Sequence, residues 1–291
     1  MQEPIPLDPR IGPLANVQHA ITTLLTTHEP RFIELGLNIF IAAATILIVW
    51  HGVRMMFSGD PLGDQVFEFA QLLLYLSFGY TMIAFYEAPI PGFGISFSNL
   101  ITDQAHYLAR LLNANTLEQI YTHLDDLFRR FLEPDPWAFL ALGIYLLILF
   151  VIILAKVIAM AVVAFGLIAS AVCGLVGPLF VPFFIIPKLD FLFWSWLKSF
   201  LQYSFIEVVA YAFFMVFEHF IAEFIRRVPA QIVAEQYLLY GVQALVIVGV
   251  FAVGTLLIPS LTSSIFTGRA GESVLPTRVR VPTSPSSKSG H

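Results

Sequence analysis

Apolar residues in this chain come in long blocks set apart by short polar or Pro/Gly-rich breaks. The first block, Leu35 to Met56, is closed by Ser58-Gly59-Asp60-Pro61. A helix needs about 20 residues to cross a hydrocarbon core of about 30 Å, so this block predicts a membrane span. A second span is predicted from Phe69 to Tyr86, ending at Glu87-Ala88-Pro89. The texture then changes. Leu100, Ile101, Ala105, Leu108 and Leu112 follow helical spacing until Asn113-Ala114-Asn115 interrupts them. Thr116 and Gln119 have the spacing of a capping box that restarts a helix. Leu117, Ile120, Leu124, Leu127 and Phe131 then recur every three or four residues, with Asp125, Asp126, Arg129 and Arg130 off that stripe. Two helices with one greasy face each are expected here, and Pro134 and Pro136 end them. The stripe predicts either a surface for docking a partner or a helix lying on the outer leaflet.

From Trp137 to Pro187 the chain is apolar again, with Lys156 the only charge. A single helix of that length would measure about 75 Å, more than twice the hydrocarbon thickness. A span from Trp137 to Lys156 is expected, its lysine snorkelling to an interface. The remainder is expected to be re-entrant or the extension of a bent span, broken at Gly177-Pro178. Gly166, Ser170 and Gly174 recur every fourth position, a spacing that lets membrane helices approach closely, within a protomer or between protomers. Further spans are predicted from Trp194 to Ile225 and from Tyr237 to Ile258.

The expected organisation is therefore a polar N-terminal segment (1–31), two spans (32–86), an amphipathic extramembrane loop (87–136), a bundle with a Gly/Pro break (137–259) and a basic, Ser/Pro-rich disordered tail (260–291). The fold class is all-α, a polytopic transmembrane helical protein with five spans; six is the alternative. Arg269, Arg278, Arg280 and Lys288 place the tail on the cytoplasmic side. The central loop, with three arginines against seven acids, tolerates the outer side.

Composition sharpens this picture. Of 291 residues, 58% are hydrophobic and only 12% charged, against about a quarter in soluble domains. Mean hydropathy is +0.81. A net charge of −5 gives no basic face for nucleic acid. Cys173 is the only cysteine, which excludes an intrachain disulfide and a thiolate–metal cluster.

Candidate chemistry is sparse. Glu207 falls near the middle of a span, where an ionised carboxylate is costly. Tyr203, Glu207, Tyr211 and Glu218 share a helical face. That face is either a polar seam lining a path or binding a coupling cation, or a buried glutamate hydrogen-bonded to a neighbouring helix. Glu218-His219 and Glu223, beside Arg226-Arg227, read as interfacial ion pairing rather than metal ligation. His51, His106 and His123 are isolated. No phosphate loop, nucleophile elbow or zinc-protease pattern occurs, so no catalytic or metal site and no cofactor is expected.

The order of features resembles one family. It rests on Trp50-His51-Gly52 at a span's end, Lys156 followed by Gly174-Leu175-Val176-Gly177-Pro178-Leu179-Phe180, the Trp196-Leu197 pair, Pro259-Ser260-Leu261, and Gly268 with Gly271. From Ile33 to Gly271 the chain looks like the TrbL family, polytopic inner-membrane subunits of type IV secretion and conjugation machines. The resemblance implies a multi-pass protein of the bacterial inner membrane, without enzymatic activity. It would scaffold or form the translocation channel and support pilus or stalk assembly. Implied partners are copies of itself (a homo-oligomer, a pentamer among the arrangements), other inner-membrane, stalk or pilus and ATPase subunits, the lipid bilayer, and translocated DNA or protein in passing. The alternative is a secondary transporter or ion channel using Glu207. A membrane-embedded enzyme is the least supported reading.

Overall fold

A computed structural model of the chain describes residues 13–57, 61–112 and 116–267. Ser58-Gly59-Asp60, the Asn113-Ala114-Asn115 interruption and residues 268–291 lie outside them, while the first eight residues of the tail expected to be largely disordered (260–267) continue the last helix. Seven α-helices follow one another: α1 (Pro13–Phe57), α2 (Leu62–Ala84), α3 (Phe97–Leu111), α4 (Thr116–Arg129), α5 (Phe139–Phe180), α6 (Asp190–Arg227) and α7 (Val242–Thr267). Short 3-10 turns at Val181–Ile185 and Ala234–Gln236 and a π-helical turn at Tyr237–Gly241 join the last three. The described residues form no β-strand, only an isolated bridge between Phe131 and Ile232.

Among the described residues, five helical stretches are long and apolar enough to cross a membrane: Glu29–Phe57, Gly63–Ala84, Phe139–Ile185, Asp190–Arg227 and Ala234–Thr267. The expected five-span, all-α architecture is therefore observed. Two boundaries move. Helix α1 already starts at Pro13, so much of the segment expected as a polar N-terminal stretch (1–31) is helical. Helix α5 runs unbroken for 42 residues, through both Gly177 and Pro178. The break expected at those two residues instead follows Phe180, where the backbone tightens to a 3-10 turn and then reverses at Lys188, whose φ is +74°. A proline so close to a helix end costs only one late hydrogen bond, and the chain can finish its last turn around it.

The core has two parts. One gathers α4, the first part of α5, the second half of α6 and α7 around Ile148, Ile152, Phe214, Ile221 and Phe251. The other gathers α1, α2, the 3-10 turn and the start of α6 around Phe40, Ile83, Tyr86, Val181 and Trp196. The stripe of α4 belongs to the first. Ile120, Leu124 and Leu127 are fully buried, and Leu117 and Phe131 nearly so. The docking surface expected on these five residues, and the leaflet-lying helix, are both corrected: the stripe packs inside its own chain. The apolar face finds cover because α5 and α6 rise beside it and offer an apolar groove. Beyond α4, Leu132 donates to the Ile232 carbonyl at 3.2 Å, Ile232 donates to Arg130 at 2.8 Å, and the Arg130 guanidinium donates to Val228 at 2.7 Å. These bonds clip the loop to the α6–α7 connection.

Candidate functional site

Helix α6 carries the polar groups that an apolar span can least hide, and the fold gives each a partner. Glu207 is buried and meets the Nδ1 of His106 on α3 at 2.8 Å. Eleven residues on, three helical turns, Glu218 meets the Nε2 of His123 on α4 at 3.0 Å. Both histidines, expected to be isolated, thus each meet a carboxylate. The glutamates of the predicted seam point at the two amphipathic helices. Tyr211 is buried on the same face, and Tyr203 packs edge-on against Phe165 at 6.1 Å. The side-chain bond to Glu207 raises the His106 pKa above its ordinary value, against the opposing pull of burial. Sequence periodicity found the acids but not their bases, because contacts between helices leave no trace in spacing along either one.

The small-residue stripe of α5 lies against α6 within the chain. A Cβ on Gly166 would come 2.9 Å from Ile206. Ser170 shares a 2.8 Å hydrogen bond with Ser204, and Gly174 faces Phe200. Beside this contact α3 spans a cavity of about 370 Å³, lined by Thr102, Asp103, His106, Arg110, Ser170 and Glu207 among others. A second, of about 340 Å³, shares Thr102, Ser170 and Ala171 with the first and reaches Glu29 and Glu87, whose carboxyl groups are hydrogen-bonded to each other. The two cavities adjoin at these shared residues beside α3.

Gly177 and Pro178 sit at a joint rather than a break. Pro178 has no N–H, which leaves the Gly174 carbonyl without its helical partner. The Tyr86 hydroxyl, arriving from beyond α2, donates to that carbonyl at 2.6 Å. Burial pushes this phenol well above its ordinary pKa, so it stays a donor. The Trp196 indole donates to the neighbouring Cys173 carbonyl at 2.9 Å. Any Cβ at Gly177 would overlap both the Tyr86 hydroxyl and the Trp196 ring. Across the joint, the Gly36 backbone of α1 presses on the Pro178 carbonyl so closely that a side chain there would collide with it. The Gly-Leu-Val-Gly-Pro run and the Trp-Leu pair thus form one packed unit.

The remaining polar candidates are local. Lys156 does not snorkel alone: its ammonium pairs with Asp125 at 2.5 Å and lies 5.5 Å from the Tyr121 ring centre. Burial pushes the Tyr121 phenol up to about 12, and it donates to the Lys156 carbonyl at 2.8 Å. Glu223 pairs with Arg226 at 2.8 Å and Arg227 at 3.0 Å, the ion pairing expected there. His51 stacks on Phe69 at 5.8 Å. Among the described residues no group of three or more His, Cys, Asp or Glu side chains could hold a metal ion.

The family described as TrbL/VirB6 plasmid conjugal transfer protein matches residues 44–259, from within α1 to within α7. No curated protein sequence matches the chain significantly.

Proposed function

The chain belongs to the TrbL/VirB6 plasmid conjugal transfer family, and from that premise we propose that it is a structural subunit of a type IV secretion or conjugation machine. It sits in the bacterial inner membrane and scaffolds the translocation path through contacts with its own copies and with other subunits.

The observation that supports this reading is the length of the exposed apolar surface. On α5, exposed apolar side chains run from Phe139 to Val172, about 50 Å at 1.5 Å per residue. A hydrocarbon core covers about 30 Å. The α1–α2 hairpin adds more. Beyond Leu47 and Leu72, His51 stacks on Phe69 across the hairpin, and Met56 and Phe57 near its tip are 83% and 84% exposed. One bilayer leaves much of this surface uncovered, and burial against other protein stabilises it. Neighbouring subunits are the natural cover in a family of conjugal transfer proteins.

The test places Met56→Asp and Phe57→Asp together at the tip. Loss of transfer and of co-purifying copies or envelope proteins, with the variant still inserted at wild-type level, supports the scaffold. Loss of insertion itself puts the tip in lipid and removes this support. Solute transport by the purified protein alone, abolished by Glu207→Gln, would establish a transporter instead.

A further inference from the structure

We propose that the cavity beside α3 holds a zwitterion made of a phosphate ester and a primary ammonium group, carried in the bilayer as a phospholipid headgroup.

The lining of the cavity supplies the first argument. Within its volume of about 370 Å³, His106 and Glu207 are taken up with each other at 2.8 Å. Arg110 and Asp103 are left over. Both line the cavity and are exposed, and neither makes an ion pair among the described residues. They stand seven residues apart on α3, two helical turns or about 10 Å. A phosphate drawn to the guanidinium and an ammonium drawn toward the carboxylate satisfy both charges at once. The floor adds a donor. Ser170 and Ser204, 8% and 5% exposed, share a hydrogen bond of 2.8 Å. That bond uses one hydroxyl proton of the two, so the other is free to serve an acceptor in the cavity. The adjoining cavity, reached past Thr102, offers Glu29, Glu87, Ser96 and Asn99, with no basic side chain among its described residues. One end is therefore cationic and the other acidic, which suits a zwitterion better than a plain anion.

The surface around the mouth supplies the second. Leu100 and Tyr107 flank Asp103 at three and four positions, Tyr107 precedes Arg110 by three, and Leu111 continues the row. All three apolar side chains are exposed. A charged mouth beside an apolar stripe fits a lipid, its head in the cavity and a chain along the helix, and tyrosine is favoured at that level of a membrane. The depth agrees. Helix α6 runs 38 residues, about 57 Å, so a hydrocarbon core of about 30 Å leaves a long stretch of it outside. The polar helices α3 and α4 meet α6 at Glu207 and Glu218, which marks that stretch. This site goes beyond the scaffold reading, and either can fail without the other.

The experiment places the full chain in nanodiscs of phosphatidylethanolamine, phosphatidylcholine and phosphatidylglycerol in equal parts. Native mass spectrometry then counts the lipids each chain retains. One phosphatidylethanolamine per chain is expected, favoured about tenfold over phosphatidylglycerol, which has no ammonium group. Arg110→Gln should lower that retention about tenfold. Asp103→Asn should erase the preference over phosphatidylglycerol, and Gln104→Ala, exposed on the same helix but outside the cavity lining, should change nothing. Free phosphoethanolamine separates the two sources of this chemistry. Displacement of the retained lipid only by a large excess assigns the site to the headgroup. Binding of the free compound with no lipid retained overturns the lipid and leaves a soluble zwitterion in its place. Equal retention of the three lipids without binding of the free compound overturns the proposal. So does a preference that survives both Arg110→Gln and Asp103→Asn.

Discussion

The first turns of α5 and its last turns belong to one continuous helix but are held by different forces. Along its first part, the neighbours α4, α6 and α7 supply a deep apolar core, and the polar ties beside it are mostly side-chain pairs with carboxylates, with Tyr121 adding one bond to the Lys156 carbonyl. At its end, the ties are hydrogen bonds to backbone carbonyls, made by the neutral donors Tyr86 and Trp196. The difference teaches how a long apolar helix tolerates polar groups. Where its backbone is intact, charged side chains can pair across to neighbours. Where a proline opens the backbone, rigid aromatic donors must fill the gap, and a glycine must make room for them.

Four substitutions or conditions test that contrast. The largest effect is expected from Leu124→Ala, a fully buried anchor of α4, which should cost about 3 kcal/mol through lost transfer energy and the cavity left behind. Unfolding of the purified protein in detergent checks it, and an unchanged stability would mean that the stripe is not part of this chain's core. Gly177→Ala should cost about 2 kcal/mol by overpacking, since two aromatic groups occupy the space of its Cβ. Its counterpart is Gly52→Ala on the hairpin, where nothing lies within 4 Å. That change should leave the melting temperature where it was. If both glycines prove equally tolerant, the joint is not packed as described.

Tyr86→Phe should come next, at about 1–2 kcal/mol, because it leaves the buried Gly174 carbonyl unpaired while keeping the ring. Infrared spectroscopy with a labelled Gly174 carbonyl should show the band shift to higher frequency. The smallest effect belongs to pH. Between pH 6 and 9 the wild-type protein should lose a little stability as His106 discharges, since its folded pKa is the raised one. His106→Gln should remove the part of that slope due to this bridge. Tyr86→Phe should leave the slope intact, because its hydroxyl does not ionise in this range. A slope that vanishes in Tyr86→Phe but survives in His106→Gln would overturn the assignment of the titrating group.

Much of the architecture was legible in the order of residues. The apolar blocks marked the spans, Gly166, Ser170 and Gly174 marked a close helix contact, and Thr116 marked where a helix begins again. Glu207 was legible as an anomaly. The stripe of α4 was also legible, but its meaning was misplaced, since an apolar face announces that it will be covered and not by what. The same limit explains Gly177-Pro178, where a helix breaker was visible but the hydroxyl that repairs the helix comes from Tyr86, 88 residues away from the Gly174 it caps.

By itself the sequence determined that this chain lives in a membrane, that its helices number about as many as they do, and that it resembles one family along most of its length. Those properties depend on transfer energy and on periodicity along a single helix, which are local. Tertiary structure alone decided that His106 and His123 face Glu207 and Glu218, that α4 is core while α3 borders two adjoining cavities, and that α5 passes through its proline. Those outcomes depend on which surfaces meet across the bundle. Contact energies between distant segments are set by the packing of the whole chain, and no window along it contains them.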